Sequence, residues 1–232
     1  MTTRAAVILD EEDLRIPAEV YTLAGFRRWS QGDEFPERGR IDYLDGEVEV
    51  DLSPEDLYTH SVVKSEIATG LHTLVKKTGR GNVFIDRTRI VSPAAELSVE
   101  PDVVVLFWES LQSGRVREIP SAGKGEGRYI ELEGAPDLIV EVVSDSSVRK
   151  DLKRLPAFYA RAGVPELWTV DARGESLRFE IRHLGPSGYE VQAADDEGWI
   201  VSPVLHHRFR LRRSRGMLGR YTYELDQAAG PA

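Results

Sequence analysis

Hydrophobic and polar positions change period several times along the chain, and each change marks an element. Over residues 19–30 apolar residues recur at helical spacing, with Val20, Leu23, Ala24 and Trp29 as the buried positions. Residues 41–50 alternate instead, broken by Asp45-Gly46. That pair is a two-residue turn signal, so the segment reads as a β-hairpin with Glu47 just past the turn. A long amphipathic helix follows. Ser53 is a candidate N-cap, Pro54 suits the first helical position, and Leu57, Val63, Ile67, Leu71, Leu74 and Val75 form its stripe up to Gly79. Residues 82–92 are β-rich. Residues 102–107 open on Asp102 and continue as an unbroken apolar run, and residues 138–143 form a second such run, interrupted by Glu141. Runs of this kind fit strands buried on both faces. Helical spacing returns at Leu152, Leu155, Phe158 and Ala162, where Pro156 demands a kink or a late helix start, and Gly163 with Pro165 ends the helix. A strand is expected at 167–170, then antiparallel strands at 176–183, 189–192, 199–201 and 205–211.

This pattern predicts a loose arm at 1–18, one domain over 19–215, and a weak tail at 216–232. Residues 111–134 carry little pattern. A mobile loop is expected around the Gly123–Gly127 run, with a short strand at 129–132. That glycine run lacks the spacing and the preceding strand of a phosphate loop.

Composition narrows the class. A chain of 232 residues, 41% hydrophobic, can bury one good core. It has no cysteine, which excludes disulfides and thiolate zinc sites and fits a reducing cytoplasm. No window reaches the length of a membrane span, so a cytoplasmic protein is expected. The net charge of −9 argues against simple phosphate tracking. Residues 206–220 are the exception, with six arginines and no acidic residue, either a solvated strand face or a local anion-binding patch. His206 and His207 are adjacent and would point to opposite faces of a strand, which makes them a poor metal pair.

The chemistry candidates are the two carboxylates in apolar runs. An ionised Glu141 among valines is costly unless a cation offsets it. Asp102 on a second apolar strand could share that cation. Mg²⁺ or Mn²⁺ suits carboxylate oxygens, with the backbone carbonyl of Val142 as a possible further ligand. His60 and Lys64 lie one helical turn apart and share a face that could border the same site.

The order Glu47, helix, strand, Pro101-Asp102, then Glu141 to Val143 resembles the PD-(D/E)XK nuclease core. More closely, EPDVVV, GAPDLIVEVVSDSS, the LDGEV hairpin and the AGVPELWTVD string resemble the Uma-type restriction endonuclease family, over about residues 20–172. The resemblance implies an α/β, restriction endonuclease-like fold, with a mixed central sheet flanked by helices and extra antiparallel strands after it. It implies a divalent metal at Asp102 and Glu141, hydrolysis of DNA phosphodiester bonds, and a possible homodimer. Two departures stand out. The lysine two residues after the glutamate is Val143 here, and the alternative position, four residues after Asp151, is Leu155. Lys153 is the expected substitute, with Lys64 in reserve and Lys150 nearby, and Glu47 is the expected third carboxylate. Tyr159 and Trp168 are expected to be packing residues. The rival expectation is a non-catalytic binding or scaffold protein on the same fold.

Overall fold

Two apolar runs, Val103–Phe107 and Leu138–Val142, lie side by side at the centre of a six-stranded sheet. A computed structural model of the chain describes residues 6–9, 14–121 and 125–230. The strand order in this sheet is Gly188–Val191, Arg178–Gly185, Glu166–Asp171, Leu138–Val142, Val103–Phe107 and Gly81–Ile85. Leu138–Val142 and Glu166–Asp171 run parallel, which requires a crossover, and the helix Leu155–Ala162 supplies it. The other pairs are antiparallel, so the sheet is mixed.

Both faces of the sheet are covered, which explains the unbroken apolar runs. On one face the helix Val62–Thr78 and a three-stranded C-terminal sheet pack against Val103, Val105, Leu138 and Val140. On the other, the helix Leu155–Ala162 and a second six-stranded sheet meet Val104, Leu106, Ile139 and Leu167. The outer side of that second sheet carries the helix Leu23–Ser30, through Phe26 and Trp29.

Local chemistry explains most boundaries. Asp45 and Gly46 both have positive φ, 51° and 85°, as the tight turn between Arg40–Leu44 and Glu47–Asp51 demands. The first helix starts at Leu23 because Thr22 accepts the Gly25 N–H at 3.1 Å, and Ala24 is exposed where burial was expected. The long helix starts later than expected. Asp56, not Ser53, caps it, accepting the Tyr58 and Thr59 N–H groups at 2.9 and 2.7 Å. A single π turn, Leu57–Ser61, then leads into Val62–Thr78, and Leu57 is exposed. A second π turn, Lys150–Arg154, precedes the crossover helix and places Pro156 in the first α turn, where no N–H is missed.

Three expectations need correction. Residues 14–17 are not a loose arm. Leu14–Pro17 pairs with Ala6–Leu9, and Leu14 and Ile16 are buried against Phe26 and Trp29. Residues 216–230 are not a tail. Tyr221–Ala229 pairs along its whole length with His207–Arg215, and Leu225 packs on the long helix. Its alternation of polar and apolar residues is an edge-strand pattern too weakly apolar to read from sequence. Residues 111–134 are largely an antiparallel pair, Val116–Pro120 with Tyr129–Gly134. The expected loop falls partly on residues 122–124, outside the described residues.

Candidate active site

In a strand, alternate residues share a face. Val104 and Leu106 face the second sheet and the crossover helix, as does Ile139. Asp102 and Glu141 have the same parity as these residues, so both carboxylates enter that layer. The register pairs Val140 with Val103, and one step further sets Glu141 opposite Asp102. Asp102 is 0% exposed and Glu141 1%.

Asp102 is well partnered. Its Oδ1 accepts from Arg40 Nη2 at 2.6 Å, and its Oδ2 accepts the Val142 N–H at 2.7 Å. Lys64 Nζ lies 4.0 Å from Oδ1, and His60 Nε2 lies 3.6 Å from Oδ2. Burial works to raise the pKa of Asp102, but these neighbours, Arg40 foremost, outweigh it and hold the carboxyl below its usual value. It is ionised at neutral pH.

Glu141 is the opposite case. Its Oε1 accepts from the Tyr159 hydroxyl at 2.5 Å, while Oε2 is buried with no hydrogen-bond partner. Burial, then the charges of Asp151 and Asp102, push its pKa well above the usual glutamate value. Asp151 is also buried. One oxygen accepts from the Ser147 hydroxyl and the other, Oδ1, has no partner. Burial, reinforced by the Asp102 charge and opposed by Ser147 and Lys150, raises its pKa to about 7. The site therefore holds one ionised carboxylate and two carboxyls that favour the proton, each with an orphaned oxygen.

Carboxyls with orphaned oxygens are the donor type that a hard divalent cation takes, and a cation here would offset the charge of ionised Glu141 and Asp151, although the three residues whose ligand atoms lie close together among the described residues are a different set. A second grouping lies on the solvent side. Ligand atoms of Glu55, His60 and Asp102 all fall within 4.8 Å of one another. There Lys64 bridges both Glu55 oxygens at 3.0 Å and Asp86 at 2.7 Å, so its ammonium already supplies positive charge. The grouping opens into a cleft of about 380 Å³ whose lining includes Arg40, Glu55, His60, Asp86 and Ser144.

The other expected residues fall in different places. Lys153 is exposed. Lys150 is buried, but its Nζ bonds Asp42 at 2.8 Å. Leu155 packs in the apolar layer, 2% exposed. Glu47 is exposed beside its turn and is held by Arg154 at 2.7 Å, so it does not join the buried carboxylates. Val142 offers Asp102 its N–H group. In the basic segment, Arg210 and Arg212 bind Asp226, and Arg213 bonds the carbonyls of Ala172 and Glu175. Much of that charge is thus spent within the fold, as on a solvated strand face. Trp168 is a packing residue, as expected, set between Phe179 and Phe209.

Sequence reasoning missed Arg40, Glu55, Tyr159 and the burial of Asp151. Tyr159 was visible only as a packing position one turn beyond Leu155. Arg40 had no signal of its own, because it reaches Asp102 from the first residue of Arg40–Leu44, the second strand of the other six-stranded sheet.

Comparison with known proteins gives a family and a likeness of fold. The family model Uma2, described as "Putative restriction endonuclease", matches residues 23–214. A crystal structure of a protein from Anabaena variabilis, described as a putative nuclease belonging to DUF820, superposes with a TM-score of 0.58. At 18% identity it covers 79% of this chain and 90% of that one, a likeness of fold. No curated protein matches the sequence.

Proposed function

Because the chain belongs to the Uma2 family of putative restriction endonucleases, we propose that it is a divalent-metal-dependent endonuclease that hydrolyses DNA phosphodiester bonds. The observation that carries this reading is the buried Asp102–Glu141 pair, with an orphaned Glu141 oxygen, beside the Lys64 and Arg40 cations. Bound Mg²⁺ or Mn²⁺ would polarise a phosphate oxygen and lower the pKa of water. Asp102, Glu141 and Asp151 are the residues to hold it. Tyr159 fixes the rotamer of Glu141. Lys64, poised 4.0 Å from Asp102, is the candidate to contact the phosphate in place of the lysine lost at Leu155. His60 borders the cleft and can orient a water. A homodimer would bring one such site to each strand of a duplex.

The test is cleavage of plasmid and of labelled DNA and RNA oligonucleotides in Mg²⁺ and in Mn²⁺, with calorimetry of metal binding. Asp102→Asn and Glu141→Gln are expected to abolish both cleavage and metal binding. Metal-dependent cleavage that survives both substitutions would overturn the proposal. Preference for RNA would revise the substrate, and light scattering would test the dimer.

One observation favours a second reading, a non-catalytic nucleic-acid or protein-binding module. Leu155 replaces a lysine, and Arg40 already sits on Asp102. That reading predicts nucleic-acid binding without cleavage in either metal.

A further inference from the structure

The 380 Å³ cleft above the carboxylates does not end at the site. A second cleft, about 590 Å³, abuts it and shares Asp51, Ser53 and Ser146 as its dividing wall. Four arginines line the two, Arg40 and Arg87 in the first, Arg149 and Arg154 in the second. Their charges are used differently. Arg40 is spent on Asp102, and Arg154 on Glu47 and Glu49. Of the other acidic residues of the walls, Glu55 and Asp86 bind Lys64 and Glu100 binds Arg89, while Asp51 accepts from the neutral groups of Ser53 and Ser146 and keeps its charge. Arg87 and Arg149 are exposed, and among the described residues neither makes an ion pair, a hydrogen bond or a ring contact.

Arg87 is also held in an unusual way. Asp86 and Arg87 are consecutive non-glycine residues with left-handed backbone, φ 48° each. Left-handed backbone at two such residues persists only where surrounding contacts determine it. Those contacts are present. The Asp86 N–H bonds the Asp102 carbonyl at 3.2 Å, and the Asp86 carboxylate accepts from Lys64 at 2.7 Å. The turn that carries Arg87 is therefore clamped directly to the backbone of Asp102 and to Lys64.

We infer that Arg87 and Arg149 are backbone phosphate contacts, one in each of the two adjoining clefts, which together hold a phosphodiester strand beside the carboxylate site. This rests on the nuclease reading and deepens it. The two arginines position the strand without touching the reacting bond, and they select a polyanion rather than a base sequence.

The experiment is fluorescence anisotropy of a labelled DNA duplex and of the matching single strand, in EDTA, over a series of salt concentrations. The proteins are the wild type, Arg87→Asn, Arg87→Lys, Arg149→Ala, the double variant of Arg87→Asn with Arg149→Ala, and Arg28→Ala, an exposed arginine on the Leu23–Ser30 helix. Asn is chosen at 87 because it tolerates left-handed backbone. Each cleft substitution is expected to weaken binding about tenfold and to reduce the slope of log affinity against log salt by roughly 0.7–0.9. The double variant should lose about twice that slope, Arg87→Lys should restore it, and Arg28→Ala should match the wild type. Wild-type slope in the double variant, losses no larger than for Arg28→Ala, or no binding by the wild type would overturn the inference. Cleavage and the salt slope separate the two proposals. Slope losses with no cleavage in any metal leave the groove and remove the nuclease. Cleavage that needs Asp102, with unchanged slopes, does the reverse.

Discussion

Glu141 and Glu166 lie on neighbouring parallel strands of the central sheet, and both are buried, at 1% and 0% exposure. Burial raises the pKa of both. Their surroundings differ. Glu166 Oε1 accepts from the Trp168 indole at 2.7 Å and from Ser202 at 2.6 Å, and Oε2 accepts the Val204 N–H at 3.1 Å. Every donor it needs comes from the fold, and the carboxyl ties the C-terminal sheet to the central one. Glu141 has one donor, Tyr159, and two acidic neighbours. A buried carboxylate that the fold satisfies is a structural part. One that the fold leaves orphaned, beside others like it, is on the proposed reading the place for a partner from outside. Asp137 belongs with Glu166, since Phe107, Ser110 and Arg115 all donate to it.

The largest effect expected from breaking this contrast is at Asp102, which belongs to both classes. Asp102→Ala removes the acceptor of the Val142 N–H and leaves Arg40 and Lys64 facing an empty buried position. A loss of about 3–5 kcal/mol in urea unfolding is expected, along with cleavage. Asp102→Asn keeps the volume, so it is the cleaner probe of chemistry.

The next effect is a pH dependence. Asp151 has its folded pKa raised from 3.8 to about 7. Between those values the folded protein holds a proton that the unfolded chain has released. Stability therefore falls as pH rises through this window and levels off above it, by on the order of a few kcal/mol. Asp151→Asn should reduce the fall in melting temperature from pH 4 to 8, leaving the share that the raised pKa of Glu141 contributes in the same direction. A divalent cation should restore wild-type stability at pH 8 and do nothing for the variant's profile. A wild-type profile that rises with pH over this window would show that Asp151 is compensated by the fold after all.

Glu166→Ala sharpens the contrast from the structural side. It strands the Ser202, Trp168 and Val204 donors and should destabilise by roughly 3 kcal/mol, with metal affinity unchanged. Glu141→Gln should do the reverse, changing stability by no more than about 1 kcal/mol while metal binding disappears. Unfolding curves and calorimetry on the two variants separate the roles, and equal metal loss in both would erase the distinction drawn here.

How much of this was legible beforehand follows from what each feature depends on. The central sheet was readable because strands covered on both faces must be continuously apolar, and the two interruptions, Asp102 and Glu141, were readable for the same reason. The strand–helix–strand order over residues 138–170 was readable too, but the parallel pairing of its two strands was not stated from the sequence. The helix starts at 62 and 155 were blurred by π turns, which carry no composition signal. Arg40, Glu55 and Tyr159 could not be assigned from local pattern, since each joins the site across a sequence separation that only tertiary packing closes. Glu47 was misplaced because a hairpin pattern fixes the turn but not what the hairpin leans on. Here Arg154 meets Glu47 and Glu49 first.

The smallest effect expected is at Lys153, and it tests the reassignment of the lysine. On an ideal helix Lys153 lies about 200° from Asp151, and even in the wider π turn it stays exposed while Lys150 and Asp151 are buried. An exposed lysine with its ammonium in water contributes little to stability, so Lys153→Ala should fall within about 0.5 kcal/mol of wild type. Its cleavage rate should also be unchanged. Lys64→Ala, by contrast, removes the ammonium that bridges Glu55 and Asp86 beside Asp102, and cleavage should drop at least tenfold. If the order is reversed, with Lys153→Ala inactive and Lys64→Ala active, then the phosphate is reached from the crossover-helix side of the cleft. Lys64 would then be a structural cation, satisfying Glu55 and Asp86 as Trp168 and Ser202 satisfy Glu166.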